Sequence, residues 1–225
     1  MPLALVFDCD GVIADSETLA NRTLADLLTR CGAPTTLAQS LATYVGKQPP
    51  EIVTTAEALH DVALPADFAE RLLAETIQAF DRDLTAVPGV GGFIRAFAAT
   101  PKAVASSSPP ARLQRTIDLL GFADAFGRHV YSASLVPRGK PHPDIFLYAA
   151  RAIGAAREDC VVLEDSPSGV MAGVAAGMRV VGVLAGGHIG PGHAARLAEA
   201  GAWRIARNFE EAEAFCRRAR ESGAD

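Results

Sequence analysis

Residues 3–17 read LALVFDCDGVIADSE, and this stretch decides how the rest of the chain is read. Residues 3–8 are apolar without alternation up to Asp8, the pattern of a strand buried on both faces of a parallel sheet. Asp10 follows one residue later, and then Gly11. In an extended strand, residues two apart share a side and stand about 7 Å apart. Two carboxylates would therefore leave the mouth of a buried strand together. Like charges in that position are costly unless a cation or a shared proton holds them. The plainer alternative is a polar turn that starts with two acids. Cys9 sits between them, but alternation turns it to the other side, where it reads as a packed thiol rather than a nucleophile.

The texture changes on either side of residues 15–87. Within them, apolar residues recur at helical spacing. Leu19, Leu24, Leu27 and Leu28 form one stripe, Ile52, Val53, Ala56 and Leu59 a second, and Phe68, Leu72, Leu73, Ile77 and Phe80 a third. Three or four short helices in succession predict a small bundle. From residue 88 on, strand and helix patterns alternate. Strands are expected at 102–105, 129–133, 160–163, 179–184 and 203–206. Helices are expected at 90–99, from 109 to 120, at 143–153, at 168–176 and after Asn208. Such alternation predicts an α/β fold with a doubly wound, Rossmann-like parallel sheet. Residues 1–14 and 88–225 are then the α/β catalytic core, and 15–87 an inserted all-helical cap. Its two linkers make a hinge that suits a lid.

Composition narrows the function. The chain has 225 residues, 49% of them hydrophobic, and a formal net charge of −5, ample for a sizeable core. The acidic balance argues against nucleic acid, which demands a basic footprint. The basic cluster Arg217, Arg218 and Arg220 reads as the solvated face of a helix. The four cysteines are scattered without a CxxC pair, so neither a zinc knuckle nor a disulfide framework is indicated. No apolar run approaches the ~20 residues of a membrane span, and the start lacks the features of a secretory signal, so a soluble cytoplasmic protein is expected. No internal repeat or low-complexity segment is evident.

Open parallel sheets bind ligands beyond the carboxyl ends of their strands, and the polar residues collect there. Asp8 and Asp10 follow the first strand, Ser106, Ser107 and Ser108 the second, and Glu164, Asp165 and Ser166 the strand near residue 162. Lys140 lies in the loop GKPHPD. Several carboxylates around one crevice call for a hard cation, and Mg2+ suits oxygen ligands with open positions. Ser106 with the free N–H groups that lead into a helix makes an anion cradle, and Lys140 adds a point charge. Together they predict a site for a phosphoryl group, with a carboxylate placed to attack it. Taken singly, the serines could be an N-cap cluster, Lys140 a surface lysine and Glu164-Asp165 a capping turn.

Four motifs in order, DCDGVIADSE, VASSS, GKPHPDIF and LEDSPSGVMAGVAAGM, resemble those of the haloacid dehalogenase superfamily, in the group of beta-phosphoglucomutase-like sugar phosphatases. The resemblance implies that Asp8 is the nucleophile and a Mg2+ ligand. It implies that Asp10 is the general acid and then the base, with its backbone carbonyl on the metal. Ser106 and the N–H of Ser107 would hold phosphoryl oxygens, and Lys140 would pair with Asp8 and the phosphoryl group. Asp165 would ligate Mg2+ directly and Glu164 directly or through water, although the adjacent acids would face opposite sides if the strand persisted through them.

Substrate choice would lie in the cap, where Lys47, after Tyr44-Val45-Gly46, and Asn21 are candidate contacts; a surface lysine is the plainer account of the first. The family's mutases carry a histidine near Asn21, and this chain has none there, which favours hydrolysis. The glycine-rich segment with His188 and His193 could touch metal or substrate, or be a mobile loop. The expected activity is thus a Mg2+-dependent phosphatase of a small phosphorylated metabolite, a sugar phosphate, working through an aspartyl-phosphate as a monomer or weak dimer. The alternatives are a phosphomutase, a 2-haloacid dehalogenase, which would need no metal, and a non-catalytic phospho-acceptor module.

Overall fold

A computed structural model describes residues 3–221. In chain order its elements are β1 (Ala4–Phe7), α1 (Glu17–Arg30), α2 (Leu37–Tyr44), α3 (Pro49–His60), α4 (Phe68–Asp83), α5 (Val90–Ala96), β2 (Lys102–Ser106), α6 (Pro110–Leu119), α7 (Ala123–Phe126), β3 (Val130–Ser132), α8 (Asp144–Ala152), β4 (Cys160–Glu164), α9 (Pro167–Ala175), β5 (Arg179–Val183), α10 (His193–Glu199), β6 (Arg204–Ala206) and α11 (Phe209–Glu221).

The six strands form one parallel sheet in the order β3-β2-β1-β4-β5-β6. This is the doubly wound α/β architecture expected from the alternation. β1 is central, with Phe7 opposite Val104 on one side and Leu163 on the other. The pleat sorts its side chains between two cores. Leu5 and Phe7 enter one with Val104, Leu163 and Val183, and Ala4 and Val6 enter the other with Ala105, Val162 and Val180. Both faces are covered, which is why the strand sequence is continuously apolar. The Phe7 ring meets Phe93 of α5 edge-on at 5.8 Å and Phe126 of α7 at 5.4 Å. Cys9 packs into the same core, 1% exposed.

The chain divides into two compact units: the residues up to Asp15 together with those from Ala86 on, and Ser16–Thr85. In the first unit, Ala14 pairs with Ala86 in an antiparallel bridge and Val87 N–H donates to Ile13 O at 2.9 Å. The departing and returning chain segments are therefore stitched to each other. In the second unit, Leu24, Leu27, Leu28, Tyr44, Ile52 and Phe68 form the core of four helices. A capping box of Thr36 and Gln39 starts α2, and two prolines start α3.

The differences from the sequence expectation have local causes. Only Ser40 and Tyr44 of α2 are buried, too few for a stripe to show. Leu59, expected in a stripe, is 63% exposed at the end of α3. The sequence expectation did not include the short helices α7 and α10; α10 begins after Gly192, whose φ of +78° suits glycine.

Candidate active site

β1 ends at Phe7, and Asp8 N–H still donates to Leu163 O at 2.9 Å. The chain then turns tightly: Ile13 and Ala14 N–H both donate to Cys9 O, at 2.8 and 2.9 Å, and Gly11 N–H donates to Ala14 O at 2.8 Å. The strand alternation that would have set Asp8 and Asp10 side by side therefore does not extend through them. The two carboxylates go to different partners.

Asp8 joins Glu164 and Asp165. One ligand atom from each lies within 4.8 Å of the others, and all three residues are buried. Glu164 and Asp165 reach the same place because β4 stops at Glu164, so alternation no longer separates them. Lys140 bridges the group from the loop before α8. Its Nζ lies 2.7 Å from Asp8 Oδ1 and 2.7 Å from Glu164 Oε1. The other Glu164 oxygen accepts from Ser166 N–H at 2.8 Å and from Ser166 Oγ at 3.0 Å. Ser166 also caps α9 by accepting from Gly169 N–H at 3.1 Å.

Burial alone would depress the Lys140 ammonium, but Asp8 and Glu164 outweigh it and raise its pKa above the ordinary lysine range. Burial pushes the Asp8 carboxyl well up; Lys140 opposes this, and Glu164, Asp165 and Asp10 add to it. Asp165 is pushed up by burial and by Glu164, with Lys140 opposing. A firmly charged Lys140 demands anionic partners, and a single ammonium cannot offset three carboxylates. The surplus negative charge and the all-oxygen donor set fit a hard divalent cation held by Asp8, Asp165 and Glu164. Gly11 leaves the necessary room, since a Cβ there would lie 1.9 Å from Asp165 Oδ2.

Asp10 is outside this group of side chains. It accepts from Ser108 Oγ in a very short hydrogen bond and from Arg112 Nη2 at 3.2 Å. Ser106 closes β2; its Oγ accepts from Ser108 N–H at 3.0 Å, and Ser132 Oγ donates to Ser108 O at 2.7 Å. Ser107 lies between them at the turn into α6. Ser108, expected in the serine cluster without a role of its own, thus holds Asp10, and Arg112 joins it as a residue the sequence expectation did not include. Helical spacing offered no signal for Arg112, because Ser108 precedes α6 and Pro109 between them is extended, with ψ of 145°.

A haloacid dehalogenase-like hydrolase family model matches residues 3–177, which include Asp8, Ser106, Lys140, Glu164 and Asp165. The chain belongs to that family. Among its relatives, the 6-phosphogluconate phosphatase of Escherichia coli strain K12 is 30% identical, over 84% of this chain and 85% of that one. Hexitol phosphatase A of the same organism is 35% identical, over 80% and 82%. A HAD family hydrolase of Deinococcus radiodurans R1, solved with bound phosphate and sodium, superimposes with a TM-score of 0.80 at 34% identity, covering 97% and 96% of the two chains. This chain is accordingly a haloacid dehalogenase-like enzyme of the phosphoric monoester hydrolase class.

The remaining predicted residues lie in the helical unit. Asn21 is buried; its amide donates to Glu17 O at 2.9 Å and Glu17 Oε2 at 3.1 Å and accepts from Ser40 Oγ at 2.9 Å. The bond from Ser40 ties α1 to α2. Lys47 Nζ bonds Thr55 Oγ1 at 3.1 Å and sits 5.8 Å from the Tyr44 ring centroid. No helix of the described residues is long and apolar enough to cross a membrane.

Proposed function

We propose that this hydrolase is a Mg2+-dependent phosphatase of a small sugar-derived phosphate, with Asp8 as nucleophile and Asp10 as general acid and base. One observation carries the reading: a buried group of Asp8, Glu164 and Asp165, bridged by Lys140 through contacts of 2.7 Å, at the carboxyl ends of β1 and β4 in a chain of this family.

In the first half-reaction an Asp8 carboxylate oxygen attacks phosphorus, the bond to the ester oxygen breaks, and the Asp10 carboxyl gives its proton to that oxygen as it leaves. In the second, Asp10 takes a proton from water, the water oxygen attacks the phosphorus of the aspartyl-phosphate, and the bond to Asp8 breaks to return the carboxylate and phosphate. Lys140 holds Asp8 in line and carries positive charge toward the phosphoryl oxygens. Ser106 and the Ser107 N–H provide the anion cradle, and Ser108 and Arg112 hold Asp10. Bound Mg2+, held by Asp8, Asp165, the Asp10 carbonyl and Glu164, would neutralise phosphoryl charge.

The named relatives act on 6-phosphogluconate and hexitol phosphates, which supports an open-chain sugar acid or polyol phosphate as substrate. In this proposal Ser16–Thr85 is the substrate-selecting lid, with Lys47 as a cationic contact. The four cysteines are free thiols, in keeping with a reducing, cytoplasmic setting.

A panel of sugar, sugar-acid and polyol phosphates, assayed for free phosphate with Mg2+ and with EDTA, tests the proposal. Phosphate release by the wild type should fall at least ~10³-fold in Asp8→Asn and stop in EDTA. Isomerisation of a hexose phosphate without net phosphate release would point to a mutase instead. Near-full activity in Asp8→Asn or in EDTA would reject the mechanism.

A further inference from the structure

The glycine-rich segment after β5 has no part in the chemistry assigned to Asp8 and Asp10, yet it is built onto Asp165. Gly187 N–H donates to Asp15 Oδ1 at 2.8 Å, which ties the segment to the turn that follows β1. His188 Nε2 lies 2.9 Å from Asp165 Oδ2, with both side chains almost fully buried at 5% and 6% exposure. His193, at the start of α10, places Nε2 2.5 Å from the backbone oxygen of Asp165. The two rings meet edge to face, with centroids 5.9 Å apart.

Hydrogen-bond chemistry fixes how these rings are used. Arg196 Nη2 lies 2.8 Å from His193 Nδ1, and a guanidinium can only donate. Nδ1 therefore accepts, Nε2 carries the hydrogen, and His193 donates to the Asp165 carbonyl. A carboxylate oxygen accepts, so His188 Nε2 donates to Oδ2. One segment thus grips Asp165 twice, by its main chain and by its side chain. Two glycines make the approach possible. A Cβ on Gly186 would lie 3.0 Å from Gly11 O and 3.0 Å from the His188 ring, and one on Gly11 would lie 2.7 Å from His188 Cε1. A segment that only joined β5 to α10 would not require both rings to converge on one acidic residue.

We propose that His188 is a positioning residue of the cation site: by holding Asp165 Oδ2, with His193 fixing the backbone beneath it, it pre-orients the carboxylate and sets the affinity for the divalent cation. A carboxylate held through one oxygen loses its rotational freedom before the cation arrives, so less ordering accompanies binding. The inference rests on the reading of Asp8, Glu164 and Asp165 as a cation site.

The test is calorimetric titration of the full chain with Mg2+ alone, without substrate, on wild type, Asp165→Asn, His188→Ala, His188→Gln and His188→Asn. Mg2+ should bind the wild type and fail to bind Asp165→Asn. His188→Ala and His188→Asn should bind about 10–100-fold more weakly. His188→Gln, whose amide nitrogen can reach the place of Nε2, should recover most of the affinity. The rise in melting temperature on adding Mg2+ should follow the same order. If His188→Ala melts lower in EDTA but keeps wild-type Mg2+ affinity, His188 is only a staple of the loop and the inference falls. Should His188→Ala not fold, equal affinities in His188→Gln and His188→Asn overturn it equally. A wild type that binds no Mg2+ removes the cation reading and this inference together, whereas unaltered binding in the His188 variants removes this inference alone.

Discussion

Gly169 shows how a residue without a side chain shapes the site. It faces Glu164 from the first turns of α9, and a Cβ there would stand 1.6 Å from Oε1 and 1.9 Å from Cδ. Glu164 is fully buried and bonded to Lys140 and Ser166, so it cannot step aside without releasing the lysine. Gly169→Ala should therefore cost about 1–3 kcal/mol in urea unfolding and lower turnover together with stability. In a Glu164→Ala background the obstacle is gone, and the added methyl should be nearly neutral. Additive losses in that double-mutant cycle would show that the clash is not with Glu164. The positions of the acids along the chain were legible in the sequence, but the partners of Asp10 were not. Ser108 is 98 residues away, and the pairing depends on a turn after β1 that ends the strand before the alternation rule can act.

At the scale of elements, the loop that carries Lys140 is closed by a fork of its own. Arg138 Nε and Nη2 bond the two oxygens of Asp144, at 3.2 and 2.8 Å, and Asp144 is the first residue of α8. The Arg138 hydrogen bond holds the Asp144 carboxyl below the usual carboxylate range. A carboxylate whose pKa is lower when folded contributes stability that is present above its unfolded value, near 3.8, and is lost as pH falls through the lowered one. Arg138→Ala should therefore melt below the wild type at pH 6, and the gap should close as pH drops below about 4. A gap that persists at pH 2 would assign the effect to something other than this pair. The strands could be read from short apolar runs, because both faces of the sheet are covered, and the long helices from periodicity, because their buried faces repeat over several turns. α2, α7 and α10 bury only two, one and two residues, too few for a repeat to register, whereas α5, also seven residues long, buries three.

Across the whole molecule, the two faces of the sheet bury three of the four thiols. Cys9, Cys160 and Cys216 are 1%, 0% and 0% exposed, while Cys31 is partly exposed. Burial pushes the thiol of Cys160 up to about 11 and that of Cys216 up to about 12, and raises Cys9 well above its ordinary value. A disulfide reagent at pH 8 should label one thiol, Cys31, in the native protein and all four after denaturation. Rapid native labelling of Cys9 would show that the core beneath β1 opens readily.

By itself the sequence determined the α/β alternation, the helical character of residues 17–85 and the polar character of the strand ends, because periodicity and composition are local properties of the chain. Which polar groups meet was decided only in three dimensions. Lys140 and Asp8 are 132 residues apart, and the loop before α8 returns the lysine to the end of β1, while the strand order places β1 beside β4 and so Asp8 beside Glu164. His188 carries no local signal that separates it from a stray loop histidine. Its role emerges from the fold of the segment after β5, which lays the ring against Asp165 through two glycines with no side chain to hold it off.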